Sequence, residues 1–303
     1  MMKRILTGLM LSAAVFAQPY TAHGQDDEGF QAPDADWRDV DPENLVLLYT
    51  DYGLIGVELY PEIAPNHAER IRALARSEFY DNVPFHRVIE GFMNQTGDGA
   101  NGNGTGDSDL PNLSPEFTFR RSEAMNVAIV GTRVVDDKRI DVGFYKGLPV
   151  ATKPISQAFL TKDSKVDAYG LHCKGVTSMA RTNDPTSANA QFFLMRAKYE
   201  SLDRQYSIWG NTVIGYKYVE RPRVGDVSSN PDFVPDKMNK VRIASDLPEG
   251  ERPKVKILRT DSPSFAEFLE TQKKFSGKLP DICKIVIPTR VVDAESLVTD
   301  DKE

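Results

Sequence analysis

The distribution of apolar and polar positions divides the chain into segments of different character. Ile5 to Ala17 is predominantly apolar, follows the positive pair Lys3 and Arg4, and gives way to small residues. That is the layout of a secretory signal peptide over 1–24, with Ala17 or Gly24 as the last residue before cleavage. No cysteine lies near either point to carry a lipid anchor. Residues 25–43 are polar and rich in Asp, and read as a flexible leader.

Beyond the leader the apolar pattern changes period. Residues 45–60, LVLLYTDYGLIGVELY, hold two β-rich runs around Asp51, Tyr52 and Gly53, which predicts a hairpin. Ala64, Ala68, Ile71 and Ala75 then recur at helical spacing, with Pro65 suited to a first turn. Short β-type runs follow within 121–172 (VAIVGTRVV, ISQAFL) and at 190–196, 206–214 and 238–246. Gly and Pro turns separate them, and few helices intervene. Short strands without a helix after each predict an antiparallel barrel or sandwich. Past Pro222 comes a loop containing Pro and Asp. A helix opens at Ser262-Pro263, with Phe265, Phe268, Leu269 and Gln272 on one face. A strand is expected from Ile282 to Ile287, followed by an acidic tail from Asp293.

Composition narrows the classes. The 303 residues, at about 150 per domain, allow one large or two small domains. The 37 Lys and Arg against 44 Asp and Glu give −7; without Lys3 and Arg4 the count is 35 against 44, or −9. Such a balance argues against a nucleic-acid partner, which calls for a basic surface. No apolar run reaches the ~20 residues of a membrane-spanning helix. Two cysteines exclude a disulfide scaffold and a four-cysteine zinc site. Cys173 and Cys283 are either a disulfide, which an oxidising compartment would favour, or two buried thiols; geometry decides.

Several features that suggest chemistry are weak on inspection. Residues 97–106, GDGANGNGTG, are half glycine, yet no GKS or GKT follows to make a phosphate cradle. Asp98, Asp107 and Asp109 lack EF-hand spacing, so the stretch reads as a structural loop. The four histidines (His23, His67, His86, His172) form no metal-ligand pair, and no metal or cofactor is expected. Ser178 lacks the turn of a hydrolase nucleophile. His86 beside Arg87 reads as a half-buried strand histidine.

Two stretches stand out. Phe85 to Asp98, FHRVIEGFMNQTGD, sets one arginine among aromatic and thioether side chains with a glutamine nearby. Gly175 to Leu194, GVTSMARTNDPTSANAQFFL, adds Ala180, Gln191, Phe192 and Phe193. Together they supply an apolar surface with a cation and an amide at its edge, and no nucleophile with a base.

The first stretch resembles the cyclophilin signature FHRxIxGFMxQxGD, and the second the family's SMA…QFF segment, in the same order. The leading hairpin and helix, Glu78 to Asn82, Leu202-Asp203 and Val213 to Tyr218 also match. The resemblance covers roughly 44–120, 173–220 and 238–246. It implies a mainly β fold, a closed antiparallel eight-stranded β-barrel capped by short α-helices. The cyclophilin-like domain would span 44–246 with an insertion at about 121–172, and 247–303 would be a C-terminal extension.

The resemblance also implies a peptidyl-prolyl cis-trans isomerase without a cofactor. Its partners would be proline-containing polypeptides folding after export, in the periplasm. In the family's pattern Arg87 donates to the prolyl nitrogen and Gln95 binds a substrate carbonyl and orients Arg87. Phe92, Met93, Phe193 and Leu202 would line the proline pocket, with Gln191 and Tyr206 at its rim. The backbone of Ala180, Arg181 and Thr182 would pair with the extended peptide. A chaperone or adaptor that binds Pro-containing segments with little catalysis is the alternative.

Four positions depart from the family pattern. Glu90 replaces a common proline and Thr96 a glycine. Ser201 stands where cyclosporin-sensitive members carry tryptophan, and Tyr206 where many have histidine.

Overall fold

The computed structural model describes residues 30–273 and 275–292. The signal segment 1–24 and the tail from Asp293 lie outside the described residues. The N-terminal part contains β1 (Trp37–Asp39), β2 (Leu45–Thr50), β3 (Gly53–Leu59), α1 (Pro65–Arg76), β4 (Val83–Pro84), β5 (Arg87–Ile89) and β6 (Met93–Thr96). The expected hairpin is β2–β3, in register from Leu45 opposite Glu58 to Thr50 opposite Gly53. The expected helix is α1, which buries Ala68, Ile71 and Ala75.

The inserted region forms a sheet of its own from β7 (Phe119–Arg121), β8 (Val127–Val135), β9 (Lys138–Tyr145), β10 (Leu148–Thr152) and β11 (Val166–Gly170), in the order β7-β11-β10-β9-β8. The run ISQAFL is not a strand; it is a 3-10 helix, Ile155–Leu160, opened by Pro154.

The chain then returns to the first sheet with β12 (Val176–Met179), β13 (Phe192–Met195), β14 (Ile208–Ile214), β15 (Gly225–Asp226), β16 (Lys237–Met238) and β17 (Lys240–Ile243). The main sheet has nine strands in the order β15-β5-β6-β13-β12-β14-β3-β2-β17. It is therefore not the closed eight-stranded barrel expected. Its outer strands are β15 and β17, and the short pair β4–β16 is a separate two-stranded piece. Pro84 in β4 has no N–H to extend a ladder. Around it the chain makes single contacts instead, Phe85 N–H to the Asp236 carbonyl at 2.8 Å and Val227 N–H to the His86 carbonyl at 3.0 Å.

The C-terminal extension contributes β18 (Lys254–Leu258), α2 (Pro263–Gln272) and β19 (Thr289–Val292). Helix α2 is the expected one, capped by the Ser262 hydroxyl, which accepts from Phe265 N–H. The strand expected at Ile282–Ile287 is absent. The Asp281 side chain accepts from Cys283 N–H and starts a 3-10 turn there, and the strand begins only after Pro288. The leader is also not free where it is described. β1 pairs with β18, Trp37 is buried, and Arg38 makes two 2.7 Å bonds to Glu58.

Why β2 and β13 read as unbroken apolar runs follows from their surroundings. Successive side chains of a strand face opposite ways. Val46, Leu48, Phe192 and Leu194 enter one core with α1, while Leu45, Leu47, Phe193 and Met195 enter a second core. That second core is shared with Phe144, Val150 and Ala168 of the inserted sheet and Val255, Ile257 and Phe265 of the extension. Insertion and extension thus cover a face of the main sheet that would otherwise expose leucine and valine. A disulfide, Cys173–Cys283, joins the extension to the main domain.

Candidate active site

Arg87 lies on β5 directly opposite Gln95 on β6. Its Nη1 donates to Gln95 Oε1 at 3.3 Å. Gln95 Nε2 donates to Gln191 Oε1 at 3.2 Å, and Gln191 Nε2 donates to the carbonyls of Gly104 and Gly106 at 3.1 and 2.9 Å. A row of hydrogen bonds therefore runs from the guanidinium to the glycine loop. Each amide offers its oxygen to one neighbour and its nitrogen to the next, which fixes both amide orientations.

The glycine loop is itself anchored by Asp98. Its carboxylate accepts from the backbone N–H of Asn101, Asn103, Gly104 and Gly106 at 2.8 to 3.2 Å. Burial pushes this carboxyl up, but the converging N–H donors outweigh it and hold it below the ordinary 3.8. Gly104 adopts φ +89°, and a Cβ there would sit 2.9 Å from the His86 ring. The loop is built around its own carboxylate, as expected of a structural element. His86 is fully buried rather than half-buried, just before β5, and neither ring nitrogen has a partner among the described residues. Burial lowers its pKa against the pull of Asp98 and Asp226.

The apolar residues converge beside this row. Met93 and Phe193 are buried, and Phe92, Ala180, Leu202 and Tyr206 pack partly exposed against the same core. Phe193 and Tyr206 meet edge to face at 5.5 Å. The Arg181 guanidinium lies 4.5 Å from the Tyr206 ring centroid and donates from Nε to the Gln205 carbonyl. Ala180 N–H goes to the Gln191 carbonyl and Thr182 N–H to Ser187 Oγ. The backbone N–H and C=O of Arg181 between them have no partner among the described residues. Of the residues singled out in the sequence, Arg87, Gln95 and Gln191 are thus joined by hydrogen bonds, and Phe193, Tyr206 and Arg181 by ring contacts.

Comparisons with known proteins show the family. The family model for cyclophilin type peptidyl-prolyl cis-trans isomerase/CLD matches residues 45–245. A probable peptidyl-prolyl cis-trans isomerase of Brucella suis is 31% identical over 217 residues, covering 68% of this chain and 85% of that protein. The chain belongs to the cyclophilin-type peptidyl-prolyl cis-trans isomerase family. A peptidyl-prolyl cis-trans isomerase-like 3 of Gallus gallus is 27% identical over 175 residues, 58% of this chain and 79% of its own. The crystal structure of cyclophilin AquaCyp293 from Hirschia baltica is 38% identical, with a TM-score of 0.74 over 88% of this chain and 97% of that one.

Around this candidate site stand residues the sequence motifs do not mark. Asp226 on β15 is the register partner of Arg87, and its Oδ2 lies 3.6 Å from Arg87 Nε. The Ser228 hydroxyl, set against partial burial and aided by Ser228 N–H and the Arg87 charge, keeps the Asp226 carboxyl below 3.8. Tyr199 packs on Phe92 with ring centroids 4.5 Å apart. It sets an aromatic ring beside Phe92, two residues ahead of Ser201. His172 bridges Asp203 and Ser178, with Nδ1 3.0 Å from Asp203 Oδ1 and Nε2 2.9 Å from Ser178 Oγ. That row has the composition of a hydrolase triad, but Ser178 is completely buried in β12. Asp226 is far in sequence from both motifs, and strand register reveals it, whereas His172 and Tyr199 flank the second motif and are revealed by their side-chain contacts.

Proposed function

We propose that this cyclophilin accelerates X-Pro isomerisation by stabilising the twisted amide with the Arg87 guanidinium. Rotation about the bond breaks amide resonance and faces a barrier of ~18–20 kcal/mol. Uncatalysed exchange therefore takes tens to hundreds of seconds and limits folding. No bond is made or broken, so the site needs only to favour the twisted state over both planar ones. As the amide twists, the prolyl nitrogen regains a lone pair, and a guanidinium N–H donates to it. Each ~1.4 kcal/mol of such preference gives a tenfold rate gain.

The supporting observation is the orientation of Arg87. Asp226 stands by its Nε and Gln95 accepts from Nη1, so the guanidinium is held at the edge of the Phe92, Met93, Phe193, Leu202 and Tyr206 surface. In this reading that surface receives the proline ring. Gln95 binds the substrate carbonyl, and the open N–H and C=O of Arg181 add the peptide as a short strand, flanked by Ala180 and Thr182. The partners are proline-containing segments of folding polypeptides.

The compartment belongs to the same proposal. A disulfide between Cys173 and Cys283 persists in oxidising surroundings and is rare where thiols are kept reduced. It supports an exported, periplasmic enzyme acting on exported chains. The test of the catalytic part is magnetisation exchange between the cis and trans forms of a bound X-Pro peptide. The Arg87→Ala variant should bind the peptide with near-native affinity and lose most of the exchange rate. Undiminished exchange would refute the arginine role and leave a binding protein.

A further inference from the structure

The segment 198–206 carries Tyr199, Leu202 and Tyr206 of the pocket wall, yet its only regular structure is a three-residue 3-10 turn, Glu200–Leu202. A turn of that length does not hold its own position. It is held from outside, by Arg181 of the second motif at Gln205 and Tyr206 and by groups from the two regions that lie beyond the matched motifs. From the inserted sheet, Arg133 on β8 donates from Nη2 to Asp203 Oδ2 at 3.0 Å and to Tyr169 Oη at 3.2 Å. Its Nη1 stands 3.6 Å from Glu200 Oε1. Asp136, beyond β8, accepts from Arg204 at 3.1 Å. From the extension, Asp281 accepts from Lys198 at 2.7 Å.

Asp203 passes this anchoring inward. Its other oxygen, Oδ1, accepts from His172 N–H at 2.9 Å and from His172 Nδ1 at 3.0 Å. With Nδ1–H donating, Nε2 accepts from the Ser178 hydroxyl. The imidazole lies nearly parallel to the Phe193 ring, at 20° and 6.2 Å, and Tyr206 meets both rings edge on. Phe193 and Tyr206 are therefore packed against a ring whose orientation Asp203 sets.

We propose that Arg133 is a positioning residue for the proline pocket: through Asp203 it fixes Leu202 and Tyr206 and, through His172, Phe193. The insertion then serves substrate binding without touching substrate. The proposal rests on the reading that these three side chains receive the proline ring. The Asp203 side chain is 7% exposed, and removing its cationic partner leaves a buried carboxylate short of compensation. The segment relieves this by moving toward water, which widens the pocket. Because the pocket grips the ring in planar and twisted states alike, the loss appears in KM and not in kcat.

The experiment measures kcat and KM for an X-Pro tetrapeptide with wild type, R133M, R133K, R120A and R87A. Arg120 is the control, an exposed arginine of the same insertion paired with Asp163 and Asp167. R133M should raise KM about tenfold with kcat within about twofold of wild type. R133K, which restores the charge at Asp203 but not the planar fork, should recover part of the affinity. R120A should match wild type. If R133M does not fold, R133K alone carries the test, and a KM equal to wild type refutes the proposal. Unchanged KM in R133M, or an equal rise in R120A, overturns the positioning role while a collapsed kcat in R87A leaves the arginine reading standing. Full kcat in R87A instead overturns that reading.

Discussion

Arg87 and Asp226 face each other as register partners across β5 and β15, with Nε 3.6 Å from Oδ2. The pair leaves the Nη end of the guanidinium for Gln95 and for substrate. Both side chains are partly exposed, so the contact itself is worth about 1 kcal/mol or less. Its value lies in orientation.

Asp226→Asn should therefore lower kcat about threefold with little change in KM. The pH dependence follows from the depressed carboxyl. Asp226 is ionised above 3.8, and its orienting effect is lost only as pH falls through its still lower folded value. Wild-type kcat should be level from neutrality down to about pH 4, and the ratio of wild type to variant should shrink toward one below that. A pH series of kcat for both proteins reads it.

Asp98 makes the same sign argument for stability. Its folded pKa is depressed, so its contribution is complete above the unfolded value near 3.8 and is lost as pH falls through the folded value. Asp98→Asn removes charge from four N–H contacts and should cost about 2–3 kcal/mol at pH 7. The variant should also lose the steeper part of the wild-type acid destabilisation. Urea unfolding across pH 3–7 measures both.

The disulfide closes a loop of 110 residues between the main domain and the extension. Replacing both cysteines by Ser should lower the unfolding free energy by about 3–5 kcal/mol through the unfolded chain. Denaturant midpoints of the two proteins under oxidising conditions test it.

Ser201 is exposed, and offers no indole N–H and little apolar area. Cyclosporin should accordingly inhibit weakly, with Tyr199 on Phe92 supplying aromatic surface but not that donor. Ser201→Trp should tighten inhibition by tenfold or more, on the scale of about 1.4 kcal/mol for a buried aromatic contact. Inhibition constants of the two proteins decide it.

The hairpin, α1 and the site surface were legible because local signals carry them. Periodicity marks β2, β3 and α1, and the two motifs hold nine of the eleven site residues, on or next to strands β5, β6, β12 and β13 that the sheet brings side by side; Leu202 and Tyr206 follow the second motif. What escaped is what depends on register over long separations. Asp226 is far from Arg87 in sequence, and only the β5–β15 pairing joins them. The leader looked free because Trp37 and Arg38 sit among aspartates, yet their partners are Leu258 and Glu58. The barrel was expected to close, but the main sheet ends at β15 and β17, and the short β4–β16 pair stands apart from both. The extension strand was displaced because Asp281 starts a turn before the chain can extend.

The central claim is that Arg87 supplies the rate. Its most direct test is cis-trans isomerisation of an X-Pro tetrapeptide, followed by a trans-specific protease, for wild type and Arg87→Ala at equal concentration. Loss of one charge-assisted donor of about 3 kcal/mol predicts a kcat/KM lower by two orders of magnitude or more. Equal rates for the two proteins would contradict the account.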